Sequence, residues 1–499
     1  MDIEKTERLI RAAAELTTMF QNDPHRPTYH FMPPFAWMND INGPIFWKGK
    51  YHLFYQHNPE GAYWKWIRWG HASSKDLVHW VHHPIALTPT HGGPDRNGCY
   101  SGVAVDNGGV ATVVYLGVPE GICLATCRND DLIRWTKHPA NPVLAVPKPG
   151  EKAEYAVYDP CVWRRGETWY ALSGWGRCYA RPNVAEGDIA YLFKSADLIH
   201  WEYLHPFYQS DRRWTEADED CAVPDFFPLG NRHMLLFASH KRGAQYYLGR
   251  YENDRFVPEF HARMNWPGGH LIAPISMRDP KGRRVFFGWI NEARGTKTQR
   301  AAGWAGVMTL PRLLSLGDDG MLRIQPVPET DVLRINPRKR EGIRLTADAD
   351  FVLDDVHGDC LEIAATIEPG DARAFGVKVR CSPDGAEQTA VLYDPAAKAL
   401  KVDAARSSLT PVTDPPDFPR VDKDCRVQAA PFELSAGEPL ELRIFLDRSV
   451  LEVFANGRQC ITQRIYPSRA DSVGVRLFCR GGHATVRVVR AWDMVAARN

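Results

Sequence analysis

Apolar and aromatic residues along the chain gather in short runs rather than at helical spacing. "YHLFYQ" from Tyr51, "TVVYLG" from Thr112, "TWYALSGW" from Thr168, "HMLLFAS" from His233 and "RVFFGW" from Arg284 are β-branched or aromatic, bounded by Gly, Asn or charged residues. Such runs predict strands. They start at intervals of 61, 56, 65 and 51 residues, which predicts five similar units. A second series keeps step with them: "KDLVHWVHHP", "DDLIRWTKHP" and "ADLIHWEYLHP" share Asp-Leu-aliphatic-x-Trp, with Asp76, Asp131 and Asp197 spaced by 55 and 66 residues. Units of four short strands repeated around an axis describe a β-propeller. The prediction is an all-β protein whose residues 30–330 form a five-bladed β-propeller. After "RIQPVPETDVLRINPRKREG" the aromatics thin out and alternating runs such as "LRIFLDRSVLEVFANG" follow, predicting a C-terminal β-sandwich over 340–499. Only the start, "MDIEKTERLIRAAAELTTMF", has a 3.6-residue apolar period, so residues 1–29 are read as an N-terminal helical extension.

Charge narrows the partners. Sixty-one Lys plus Arg are offset by sixty Asp plus Glu, and no basic run with interleaved aromatics occurs, which argues against nucleic acid and anionic membrane surfaces. A neutral small molecule is the expected partner, and a homo-oligomer is left open. Sixteen Trp, eighteen Tyr and twenty-one Phe suit a β-rich core and also suit stacking on sugar rings. The eleven cysteines are scattered, Cys123 and Cys127 being the closest pair, without C-x-x-C spacing. With no signal-like start and no membrane-length apolar run, this predicts a cytoplasmic protein with reduced thiols. His79, His82 and His83 in "DLVHWVHHP" lack a zinc-ligand spacing, and no phosphate-cradling glycine loop is present, so neither a metal nor another cofactor is expected.

Candidate chemistry begins at "FAWMNDINGPIFW", residues 35–47, where Asp40 lies between two asparagines. Asn42-Gly43 is a strong hairpin signal, so the stretch alone reads as a turn. The repeat changes that reading. Counting back from each strand of the first series reaches Asp40, Ser101, Asp159, Glu219 and Ala273, so three of five equivalent positions carry carboxylates. Residues just ahead of equivalent strands converge on one end of a propeller axis. Acids crowded there repel one another, and one holds its proton to higher pH. Glycoside hydrolysis needs such an arrangement: one acid protonates the leaving oxygen while another attacks the anomeric carbon or activates water. Oxygen-rich Ca²⁺ or Mg²⁺ binding is the rival, unsupported by any EF-hand-like loop.

These segments resemble glycoside hydrolase family 32, the β-fructofuranosidases that include invertases, inulinases and levanases. The resemblance runs through "WMNDINGPIFWKGKYHLFYQHNP", "WGHASSKDLVHW", "YDPCVW", "PDFFPLG", "GWAGVMTLPR" and "LRIFLDRSVLEVFANG". It implies a five-bladed propeller followed by a sandwich, and a retaining hydrolase that releases terminal fructofuranosyl units from sucrose or fructan oligosaccharides by double displacement. It implies Asp40 as nucleophile, Asp159 as the group holding sugar hydroxyls and Glu219 as acid/base. Asn39, Gln56, Trp64, Ser101 and Tyr158 fall at the implied substrate pocket, and Trp304 near its rim.

Three departures stand out. Ile41 replaces a proline after the nucleophile, and Tyr158 replaces an arginine, exchanging a forked cationic donor for one phenol. "EDCAVPD" replaces Glu-Cys-Pro-Asp, so Glu219 and Asp220 both remain candidates; neighbouring strand residues face opposite ways, and Glu219 keeps the blade spacing and residue type. A fructosyltransferase, a related furanosidase or an inactive carbohydrate-binding propeller are the alternatives.

Overall fold

The computed structural model describes residues 20, 23–148, 151, 154–176, 187–410 and 426–497. The helical extension expected at residues 1–29 therefore lies, through residue 19, outside the described residues. The fold is all-β. Five antiparallel sheets follow one another along the first part of the chain, each built around four strands in sequence order. Their first strands are Ala36–Trp47, Gly98–Asn107, Pro160–Arg165, Ala222–Leu229 and Leu271–Arg278. Each of these first strands packs against the next, and the last returns to the first. The short strand Trp304–Ala305 pairs in parallel with Ala36 and Trp37, adding residues from the end of this region to the edge of its first sheet.

The five apolar runs read from the sequence are the second strands of these sheets, from Lys50–Asn58 to Arg284–Ile290. The Asp-Leu-x-x-Trp segments make the last corner in three of the sheets. Leu77, Leu132 and Leu198 adopt left-handed backbone angles, φ 68°, 53° and 67°. The indole N–H of Trp80, Trp135 or Trp201 donates to the carbonyl of that leucine three residues earlier, at 3.1, 2.8 and 2.9 Å. Asp76 and Asp197 cap the corner by accepting backbone N–H groups. In the second sheet Asn129 does so instead, and Asp131 pairs with Lys50.

Asn42-Gly43 is not a hairpin turn. It lies inside the twelve-residue strand Ala36–Trp47, whose hairpin closes at Lys48-Gly49. Gly43 has φ +45°, and a Cβ there would meet Ala104 of the second sheet at 3.0 Å. Tertiary approach of two strands, not a turn, explains this glycine.

The second part of the chain forms two six-stranded sheets that share one apolar core, with Leu361, Ile363, Ile444 and Val453 from one and Phe375, Val377, Val391 and Leu400 from the other. Its first strand is Arg334–Leu345, starting ahead of the residue 340 expected from the change in composition, because polar "RINPRKREG" pairs with Ala484–Met494 at an exposed sheet edge. Buried ionic contacts join the two parts. His30 lies between Asp447 at 2.9 Å and Glu452 at 3.3 Å, all three side chains inaccessible to solvent. Glu292 binds Arg464 at 2.9 Å and Arg294 at 3.1 Å.

Candidate active site

Four of the five first strands break their pairing register at equivalent places: between Met38 and Ile41, Cys99 and Gly102, Ala222 and Asp225, and Ile272 and Ile275. Each bulge re-aims the side chains within it. The first sheet thereby presents Asn39 and Asp40, and the second presents Ser101. Asp159 stands immediately before the first strand of the third sheet.

Asp40 is held by a closed set of donors. The Ser101 hydroxyl donates to its Oδ2 at 2.6 Å, the Gln56 amide donates to the same oxygen at 3.2 Å, and the Asn39 amide donates to Oδ1 at 3.1 Å. The second amide hydrogen of Gln56 goes to Ser101 Oγ at 2.7 Å, and that of Asn39 to Gln56 Oε1 at 2.8 Å. Trp37 Nε1 donates to Asn39 Oδ1 at 2.8 Å, which fixes the orientation of that amide. Every amide hydrogen in the set is therefore used. Burial raises the pKa of Asp40, opposed by the Ser101 and Asn39 donors and by the charge of His240.

Asp159 is buried, and its Oδ2 accepts from the backbone N–H of Val223 at 3.2 Å. Burial and the negative charge of Asp40 push its pKa up to about 8. Asp220 and His240 complete the group. The backbone N–H of His240 donates to Asp220 Oδ1 at 2.8 Å, and its Nδ1 meets Oδ2 at 2.6 Å. Burial disfavours the imidazolium, but the hydrogen bond from Asp220 and the charges of Asp220, Asp159 and Asp40 outweigh it and raise the His240 pKa to about 9.

The acid expected at Glu219 is not in this group. Its side chain is fully buried and bound by Arg263 at 3.0 Å and Gln245 at 3.0 Å. Burial would raise its pKa, yet Arg263 brings it below the usual carboxylate value. Its neighbour Asp220 faces the other carboxylates, although neither residue is in a strand as expected: both precede the strand Ala222–Leu229, so strand alternation does not decide between them. An isolated two-way backbone bridge between Cys221 and Trp175, just beyond the second strand of the third sheet, holds the segment, with Trp175 N–H to Cys221 O at 2.9 Å and the return bond at 3.1 Å. Gly174 permits the approach, because a Cβ on it would lie 2.2 Å from Cys221 O.

Trp304 also lies away from the expected rim. It is fully buried, donates to Asp23 Oδ2 at 2.7 Å and lies under the Arg294 guanidinium at 4.9 Å, so it belongs to the contact between the two parts of the molecule. The Tyr158 ring is buried too, close enough to Gly176 that a Cβ there would meet it at 2.4 Å. Trp64 is 38% exposed and stands edge-on to Tyr100, the neighbour of Ser101. His240 was not singled out by sequence reasoning. Its signal was slight: a histidine at the end of the second strand in "FASHKRG", one strand away from the candidate acids.

Carboxylates brought together from three sheets, one fed by donors, one disposed to keep its proton and one paired with an imidazole, define a carboxylate-based glycosidase. The profile described as "Glycosyl hydrolases family 32 N-terminal domain" matches residues 30–326, and "Glycosyl hydrolases family 32 C terminal" matches 329–493. The chain belongs to glycosyl hydrolase family 32. It is 32% identical to a sucrose-6-phosphate hydrolase of Zymomonas mobilis, over 94% of this chain and 92% of the relative. It is 31% identical to the β-fructofuranosidase insoluble isoenzyme 1 of Oryza sativa, over 94% and 90%. Fructan 1-exohydrolase IIa from Cichorium intybus, solved as a variant with 1-kestose, superposes with a TM-score of 0.84 at 25% identity, covering 95% of this chain and 98% of that one.

Proposed function

We propose that this enzyme is a retaining β-fructofuranosidase that removes terminal fructofuranosyl units from sucrose or a fructan oligosaccharide. The five sheets in order support a five-bladed propeller as the catalytic domain, and the two sheets that follow support a β-sandwich. The observation that carries the reading is the convergence of Asp40, Asp159 and the Asp220–His240 pair. Asp40 is the nucleophile: its carboxylate attacks the anomeric carbon and forms a glycosyl ester. Asp159 holds the sugar hydroxyls beside that carbon. The Asp220–His240 pair supplies the proton for the leaving oxygen. Trp64 offers a ring face at the mouth of the pocket, and Asn39, Gln56 and Ser101 hold the nucleophile.

The leaving sugar is read as neutral. Lys241 and Arg242, the cations next to His240, are already paired, Lys241 with Glu216 and Asp218 and Arg242 with Glu216. The nine cysteines among the described residues are free thiols, which supports the cytoplasm as the compartment. Among those residues no helix is long and apolar enough to cross a membrane.

The test is release of fructose from sucrose, sucrose 6-phosphate, inulin, levan and a small synthetic fructofuranoside, by the wild type and by Asp40→Asn. The expected result is turnover of an unphosphorylated fructoside and a loss of roughly a thousandfold or more in kcat for the folded variant. Near-normal hydrolysis by Asp40→Asn overturns the nucleophile assignment. Turnover confined to the 6-phosphate overturns the neutral leaving sugar.

A further inference from the structure

We infer that the proton donor to the leaving oxygen is Nε2 of His240, and that Asp220 is the positioning residue that orients this imidazole. This rests on the fructofuranosidase reading and assigns its acid to an atom. Access separates the two members of the pair: the His240 side chain is 38% exposed and that of Asp220 is 1% exposed. Both Asp220 oxygens receive donors from His240, one from the backbone and one from Nδ1. With Nδ1 committed, Nε2 is the free nitrogen, and it makes no hydrogen bond to the protein among the described residues. A general acid must come within hydrogen-bond reach of the atom it protonates, and the His240 side chain is open to such an approach where its partner is covered. A carboxylate on one imidazole nitrogen fixes the tautomer and presents the other nitrogen to the substrate.

The ionisable groups that face His240 are the carboxyls of Asp220, Asp159 and Asp40. The adjoining cations Lys241 and Arg242 are held by Glu216 and Asp218. The imidazolium therefore keeps its proton at neutral pH. In the first step Asp40 Oδ bonds to the anomeric carbon, the bond to the leaving oxygen breaks with its electron pair on that oxygen, and that oxygen takes the proton from Nε2. Asp40 is then an uncharged ester, so a charge that held the proton is gone. The neutral imidazole next takes a proton from water as the water oxygen bonds to the anomeric carbon, and the ester bond breaks to return Asp40 to its carboxylate. Loss of the Asp40 charge in the intermediate makes the same nitrogen an acid in one step and a base in the other.

The experiment compares His240→Gln and Asp220→Asn on sucrose, whose leaving oxygen needs a proton, and on 4-nitrophenyl β-fructofuranoside, whose leaving group does not. His240→Gln is expected to lose roughly 10²- to 10⁴-fold in kcat/KM on sucrose and less than tenfold on the nitrophenyl substrate, with the basic limb of the pH profile abolished. Asp220→Asn is expected to move that limb to lower pH, because a charge that held the imidazolium is gone. Loss selective for sucrose in Asp220→Asn, with an even loss on both substrates in His240→Gln, overturns the inference and makes Asp220 the donor. The wild type gives a reading independent of variant folding: the basic limb should move with temperature as an imidazolium does, and a limb that stays still as a carboxylic acid's does overturns the inference. A wild type that cleaves neither substrate fails the fructofuranosidase reading instead.

Discussion

Ser101 makes the shortest contact to Asp40 and is the donor whose removal can be read most directly. Its hydroxyl lowers the pKa of Asp40 against the effect of burial, so Ser101→Ala raises that pKa. The acidic limb of the kcat/KM profile should move to higher pH, with a loss of about tenfold at the optimum, the equivalent of about 1.4 kcal/mol from one charge-assisted hydrogen bond. A profile unmoved on its acidic side would separate Asp40 from that limb. Trp64→Ala should raise KM about tenfold and leave the melting temperature unchanged, since the ring is half out of the protein and touches Tyr100 only by its edge. The meeting of Asp40, Ser101 and Asp159 was legible in the sequence because a repeat period fixes which segments meet. The period could not choose between Glu219 and Asp220. That choice depends on Arg263, His240 and the Trp175–Cys221 bridge, all distant in sequence from the acids or hidden in backbone bonding.

Strands and corners were more legible than the joints between them. The β-branched runs identified all five second strands, since each is buried by its neighbours on both faces of a sheet. The Asp-Leu-x-x-Trp corners were visible as repeats, although one obtains its backbone acceptor from Asn129 two residues ahead of the repeated aspartate. Asn42-Gly43 misled, because local turn preference gave way to the close packing of Gly43 on Ala104. Gly174 is the joint with the sharpest expected effect. Gly174→Ala places a methyl group against Cys221 O, so the bridge to Trp175 must open and Asp220 must turn with it. The expected outcome is a loss of more than about tenfold in kcat/KM for a protein that remains folded, since the disturbance is one bridge among many sheet pairs. Assay beside a circular-dichroism melt checks it; unchanged activity would show that the acid pair is positioned without the bridge.

The two parts of the molecule are held by charges whose sense can be tested by pH. His30 donates to Asp447 through Nδ1 and faces Glu452 through Nε2, so both nitrogens are needed in protonated form. Burial opposes that charge, but the two carboxylates raise the His30 pKa from 6.5 to about 9. A folded-state pKa above the unfolded one means that the contribution is complete below about 6.5 and disappears as pH climbs through about 9. The melting temperature should fall by a few degrees over that window, and His30→Gln should flatten the fall. The parallel pairing of Trp304 and Ala305 with Ala36 and Trp37 has a consequence for the order in which the chain is made. At cellular synthesis rates the ribosome reaches Trp304 roughly 15–50 s after Trp37, and until then one edge of the strand that carries Asp40 has no partner. The strand that carries Asp40 is thus translated well before the segment that clamps its edge. A nascent chain stalled short of residue 304 should offer residues 36–47 to a protease and hydrolyse nothing, so activity first appears only after the ribosome has passed that point.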